Sequence, residues 1–453
     1  MITPKPFPAL RAAALSAAIF ISSVTLARAE VTPMAVSKGQ EPPTSWVDPD
    51  TGHRVVRLTR EPGSASFYFT DNGYTPDGKQ LVYTTPEGIS VLVLATLQTR
   101  QIVPGPVRAI VVGRKTPTIY YTKPTKDPLY SELWSTNVDT GATRKLAELP
   151  RRGSVGTINA DETQAAGTYI EGDATAGGNY DGQTAKQADG PAAKQANSLE
   201  QPANKVQMMA VRLAAKLPVT MFKVDLATGK STTLLQSTDW LNHLQFSPTD
   251  PTLLMYCHEG VKVQVDRIWT IRTDGTKNTL VHTRSIQMEG VGHEWWSQDG
   301  KNIWYDINIG RQTHTDGDKD YPTYTRALVG FVGGYNVETQ ERIWYHYQPE
   351  EWSIHFNTSP DGTVFCGDGG RSPNSHWLYL FRPERVQDEK MLGDDLIRLG
   401  AFHAEHLVNM AHHNYKLEPN VTFTPDAKFI VFRSNMFGPT YVFAVEVAKA
   451  AAR

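Results

Sequence analysis

The sequence predicts an all-β fold: a seven-bladed β-propeller of four-stranded antiparallel blades. Two recurring turn signatures and the short alternating runs between them carry this reading. The first signature is an aromatic or Thr, a small polar residue, then Pro-Asp-Gly or a relative, followed by a β-rich run. Tyr74-Thr-Pro-Asp-Gly78 precedes Leu81-Val-Tyr-Thr84, and Phe246-Ser-Pro-Thr-Asp250 precedes Leu253-Leu-Met-Tyr256. Trp296-Ser-Gln-Asp-Gly300, Thr358-Ser-Pro-Asp-Gly362 and Phe423-Thr-Pro-Asp426 continue the series, with degenerate copies near Gly113-Arg-Lys115 and at Ile158-Asn-Ala-Asp161. Seven units result. The second signature falls between them, at Asn137-Val-Asp-Thr-Gly141, Val224-Asp-Leu-Ala-Thr-Gly229, Thr273-Asp-Gly275 and Asn336-Val-Glu-Thr339. Gly and Asx residues there supply the positive φ of tight hairpin turns. Short strands with two turn signals per unit suit blades rather than long sheets. Closure requires first and last blades to pair, with Tyr441 to Val447 as the final strand.

The flanks and one interruption complete the domain plan. Lys5 and Arg11, the apolar run Ala12–Leu26 and Ala27-Arg-Ala29 have the layout of a signal peptide over residues 1–29. One propeller domain then spans 30–453, exported to the periplasm or secreted, with no membrane association after cleavage. Residues 171–205 are rich in Gly, Ala, Gln, Asn and Asp and read as a flexible insertion. The periodicity of Met208 to Leu217 predicts a short amphipathic helix after it.

Charge excludes one class of partner. The chain carries a net −2, and removal of Lys5, Arg11 and Arg28 with no acid takes it to −5. Such a balance leaves no footprint for nucleic acid. Any anionic ligand must meet a local cluster of cations. Cys257 and Cys366 each lie in an apolar run and read as buried free thiols.

Histidines are the informative residues. His243, His258, His293 and His355 fall one per unit in successive units, near turns or strand ends. Equivalent positions in successive blades face a common funnel, where imidazoles serve as acid, base or metal ligand. Neither His258-Glu259 nor His293-Glu294 belongs to an H-E-x-x-H helix, so a zinc protease is excluded. A G-x-S-x-G elbow is missing too, which removes the serine hydrolases.

With these motifs in place, the chain resembles the oligogalacturonate lyase family of bacterial polysaccharide lyases. The likeness is sharpest at Trp240-Leu-Asn-His243, Cys257-His-Glu-Gly260, Val265-Asp-Arg-Ile-Trp269, Gly292-His-Glu-Trp-Trp296, His355 to Gly362 and Phe423 to Val447. The resemblance implies a seven-bladed propeller that cleaves short galacturonides by β-elimination, with a histidine base and a divalent metal, usually Mn²⁺. It assigns the base to His258 and one metal ligand to His293. The family's remaining ligands lie in a Q-x-x-H-P-H-P stretch, which here reads Tyr415-Lys-Leu-Glu-Pro-Asn-Val421. Glu418 and Asn420 replace two histidines, and Tyr415 replaces the glutamine. The expected metal set is therefore His293, Glu418, Asn420 and Tyr415, a mixture suited to Mn²⁺ or Ca²⁺.

Elimination abstracts the C5 proton beside the uronate carboxylate and expels the C4 oxygen. A cation at the carboxylate and a neutral imidazole base meet those needs. His258 and Arg267 are thus the expected catalytic pair, with His243, His355 and Trp296 expected to touch a uronic-acid oligosaccharide. Two alternatives stay open: a lyase acting on another polyuronide, and a propeller that only binds or scaffolds.

Overall fold

The computed structural model describes residues 41–172, 205–313, 323–370, 375–385 and 396–450. The expected leader at 1–29 and nearly all of the 171–205 insertion lie outside the described residues. Among the described residues the chain is mostly β, with one α-helix, α1 (Lys205–Ala215), where the amphipathic pattern places it. The helix stops at Lys216, which takes a left-handed φ of 46° ahead of Pro218. No helix among the described residues is long and apolar enough to cross a membrane.

The strands form successive antiparallel meanders. After a three-stranded sheet (Gln80–Pro104) come four-stranded sheets over Arg108–Glu148, Ser154–Ser237 and Trp240–Leu280. An eight-stranded sheet follows, made of two four-stranded meanders joined by parallel pairing of Arg342–Tyr347 with Arg398–Asn409. The last sheet is built from both ends of the chain. Tyr441–Lys449 pairs with Phe429–Ser434 on one side and His53–Arg57 on the other, with Val56 opposite Ala444. Closure thus occurs as expected, inside one sheet.

Strand alternation explains the packing. Ile430 and Phe432 face one neighbouring sheet, whereas Phe429 and Val431 face the other. Leu254 and Tyr256 likewise join one cluster and Leu253 and Met255 the next. Each large apolar cluster is shared by two consecutive meanders, and the last sheet packs back onto the first. Cys257 and Cys366 are both buried and free.

The turns owe their shape to local side chains. Thr75, Ser297, Ser359 and Thr424 each donate a hydroxyl hydrogen bond to the aspartate two residues on, at 2.6–2.7 Å. Gly78, Gly300 and Gly362 then take φ near 70°, which closes the turn without a Cβ clash.

Trp46 anchors the closure. It is fully buried and meets Phe437 and Phe443 edge-on at 5.4 and 5.8 Å. Trp46→Ala should cost about 3–5 kcal/mol, read as a lower urea midpoint with an unchanged slope.

Candidate functional site

A β-bulge recurs in the innermost strand of successive sheets and re-aims its side chains. The register shifts between Ala109 and Val111, Val155 and Thr157, Asn242 and Gln245, and Gly292 and Trp295. At the last two, His243 and His293 adopt left-handed φ of 49° and 48°, and Asn420 does so at 55° before the innermost strand of the final sheet. Bulges and left-handed residues of this kind are costly unless the surroundings hold them. His355 immediately precedes its own innermost strand, Phe356–Thr358.

Three of the four expected histidines converge. His293 and His355 meet edge to face at 5.0 Å, and Tyr68 lies 5.2 Å from His355 and 6.3 Å from His243. His355 is fully buried and stacked 4.5 Å over Phe69. Its Nδ1 is 2.8 Å from Asp368, which also accepts the His355 backbone N–H at 2.8 Å. Its Nε2 has no hydrogen-bond partner, and Glu418 Oε2 stands 3.8 Å away. His293 Nδ1 is held at 3.1 Å by Asp306, which in turn faces Lys262 at 3.6 Å. Burial, with Lys262 beside it, pushes the His293 pKa down to about 4 against the pull of Asp306. Burial opposes ionisation of Asp306 as well, yet Lys262 and His293 outweigh it and hold the carboxyl well below its usual range.

His243 leads into a buried ionic chain. Its Nε2 is 2.9 Å from Glu259, whose other oxygen takes Arg267 Nη1 at 2.8 Å. Arg267 Nε reaches Glu294 at 3.1 Å, and Cys257 Sγ touches the same carboxylate. Glu259 lies well below the ordinary carboxylate range because Arg267 and His243 override burial.

Several expected residues stand elsewhere. His258 lies on the opposite side of its strand from Glu259, stacked 5.2 Å from Trp269, with Nδ1 3.3 Å from Asp239. Its contacts are not with the other three histidines. Arg267 is corrected from a substrate cation to a structural one, since it is 3% exposed and pairs with two carboxylates. Trp296 is corrected as well: it is a core residue whose Nε1 donates to the Gln245 carbonyl. The Tyr415 hydroxyl donates to the Asp368 carbonyl at 3.0 Å, in the core. The Asn420 amide donates to the Glu418 carbonyl and accepts from the Phe69 backbone, so both side chains are committed to structure. Among the described residues no group of three or more His, Cys, Asp or Glu is arranged to hold an ion.

Tyr68, Lys262, Asp306, Asp368 and Arg433, whose Nε donates to the Glu418 carbonyl at 2.8 Å, were missed in the sequence. Asp306 and Asp368 carried a signal, a carboxylate within or beside an apolar strand. A cavity of about 240 Å³ opens near the Pro-Asp-Gly turns beside Arg114, at the other end of the innermost strands, with Phe69 between it and His355. The histidine end carries the titratable cluster, so chemistry is assigned there.

The fold and site together define a mostly β protein of repeated meanders with a histidine–carboxylate cluster on the inner strands. Residues 205–315 match the family model described as oligogalacturonate lyase. An oligogalacturonide lyase of Pectobacterium atrosepticum is 27% identical over 240 residues, covering 50% of this chain and 55% of the relative. An oligogalacturonate lyase of Dickeya dadantii is 26% identical over 241 residues, with the same coverage. The chain thus spans about half the length of the curated relatives it matches. Two solved structures share the fold: an oligogalacturonate lyase in complex with manganese (TM-score 0.67, 22% identity) and one from Vibrio parahaemolyticus (TM-score 0.65, 21% identity). Each alignment covers 89% of this chain and 96% of that one. The chain is related to the oligogalacturonate lyases, as its motifs imply.

His413 is buried between Ser434 (2.9 Å) and the Leu417 carbonyl (2.7 Å). Burial lowers its pKa to about 4. The unfolded chain protonates this group near 6.5, whereas the folded chain resists until about 4. Stability is therefore lost as pH falls between those values. His413→Gln should flatten the decline in urea midpoint between pH 7 and pH 5.

Proposed function

We propose that the protein is a polysaccharide lyase that cleaves short galacturonate oligosaccharides by β-elimination. The observation that carries this reading is the convergence of His243, His293 and His355 with buried carboxylates, in a chain related to oligogalacturonate lyases. The sheets are read as seven blades, the two halves of the eight-stranded sheet counting separately.

His243 takes the role of base in place of His258. Glu259 Oε2 stands 2.9 Å from its Nε2 as an ion-pair contact, and Nδ1 would accept the C5 proton. His258 keeps a supporting place on the rim, where burial lowers its pKa against the pull of Asp239.

A divalent ion fits the donor chemistry. Asp306 and Asp368 occupy Nδ1 of His293 and His355, the arrangement that orients Nε2 of a ligating imidazole. The buried, unpartnered Nε2 of His355 is the group most in need of a partner. His293, His355 and Glu418 are too widely spaced to form a ligand set as they stand and would have to draw together to hold the ion, and the mixed nitrogen and oxygen donors suit Mn²⁺. When bound, it supplies positive charge for the carboxylate beside the acidic C–H. Phe69 and Tyr68 form the dry wall of the cluster.

Two measurements test this reading. His243→Ala should lower turnover on digalacturonate by about 10²–10⁴-fold, followed by absorbance of the unsaturated product, while His258→Ala should be milder; the reverse order would return the base to His258. Asp368→Asn should weaken Mn²⁺ binding by roughly 10–100-fold, read by titration of free Mn²⁺ resonance. An unchanged affinity would remove His355 from the metal set.

A further inference from the structure

Helix α1 carries an arginine that its surroundings do not explain. Met208 and Met209 seat the helix on Val261 and Trp240, and Leu213 lies against Gly260. Arg212, on the same helix, is only 6% exposed. Its guanidinium lies over the Trp240 ring, with Cζ 3.4 Å from the centroid. The Nη1 group is buried without a hydrogen-bond partner.

An exposed helix residue of this length ordinarily carries its charge out to water. Holding a cation inward gains a cation–π contact but leaves donors unmet, at a cost. Trp240 pairs across the strands with Glu259, which is already bound to Arg267 and His243. Arg212 therefore lies within electrostatic reach of Glu259, the carboxylate next to the proposed base, with an unmet Nη1 and a flat aromatic support. Burial brings its pKa to about 10, with Glu259 opposing that fall, so the charge persists at neutral pH.

We propose that Arg212, backed by Trp240, is the carboxylate receptor of the site and selects acidic sugars over neutral or esterified ones. The inference rests on the function proposed above and adds the residue that reads the substrate's charge. A planar fork on an indole presents parallel N–H groups to a carboxylate, a geometry that a lysine cannot reproduce.

The test is equilibrium binding of digalacturonate and its methyl ester to the full chain and to R212M and R212K, by calorimetry. R212M keeps the apolar contact with Trp240. It should lose at least about tenfold in affinity for the free acid and leave the ester unchanged. R212K should retain part of the acid preference, and it decides the matter by the acid-to-ester ratio if R212M fails to fold. Equal losses for acid and ester, or none, overturn the inference. Normal lyase activity with an unchanged acid-to-ester ratio in both variants sinks Arg212 alone. Acid binding that depends on Arg212, in a protein without elimination activity, supports the receptor and removes the lyase reading. A wild type that binds neither ligand rejects both.

Discussion

The structure depends on one packing constraint: each meander is apolar on both faces. A strand such as Phe429–Ser434, buried along its length, cannot leave either face to water. Each sheet must be covered twice, and consecutive sheets supply the cover in turn. The arrangement ends only when the last sheet meets the first. Pairing Tyr441–Lys449 with His53–Arg57 makes that junction with backbone hydrogen bonds as well as side chains. Function follows from the same constraint, because stacked sheets bring the starts of their innermost strands together. His243, His293, His355 and Glu418 approach each other although 175 residues of chain separate the first from the last.

Buried charge is the second determinant. Glu259 and Glu294 are both almost fully enclosed, and neither would remain ionised alone. Arg267 lies between them and ties the sheet of Trp240–Leu280 to the next one. Such a tie adds little net stability, since desolvation offsets attraction, but loss of one partner strands the others. Its positional effect is larger: fixing Glu259 fixes His243, and the left-handed bulge at His243 is held by this contact and its strand pairing.

The fold was legible because its turns are local chemistry. Thr75 with Asp77, or Ser359 with Asp361, makes its contact within three residues, so the sequence displays it directly. The site was legible in composition but not in direction. His258 and Glu259 are neighbours on a strand, and period two sends them to opposite faces. Motif reading treats them as one element and cannot choose between the faces. His243 reaches the cluster through a bulge at a non-glycine residue, which leaves no compositional mark. Tyr415 and Asn420 were expected as metal ligands, yet their polar atoms are taken by Asp368, Glu418 and Phe69. Ligand assignment by alignment assumes free donors. Burial decides whether they are free.

The charges around the cluster bear on what can enter it. Five carboxylates gather there: Glu259, Glu294, Asp306, Asp368 and Glu418. Arg267, Lys262, Arg433 and Arg212 are the cations in electrostatic reach. With the histidines neutral the balance is one negative charge, and a uronate would add another. Opposite charges must therefore come from outside the side chains or from protonated imidazole. Protonation works against the proposed chemistry, because a base must be neutral, and His293 resists it down to about pH 4. A divalent ion, as proposed, would resolve the conflict: it would offset the excess and satisfy the buried Nε2 of His355. Replacing two imidazoles of the family's motif by Glu418 and Asn420 then acquires a physical sense. On the proposed reading, the Glu418 carboxylate would contribute charge where an imidazole contributes none, and would neutralise more of a bound hard cation. The charge no longer available to the substrate must be restored nearby, and Arg212 over Trp240 is the cation whose donors are unmet.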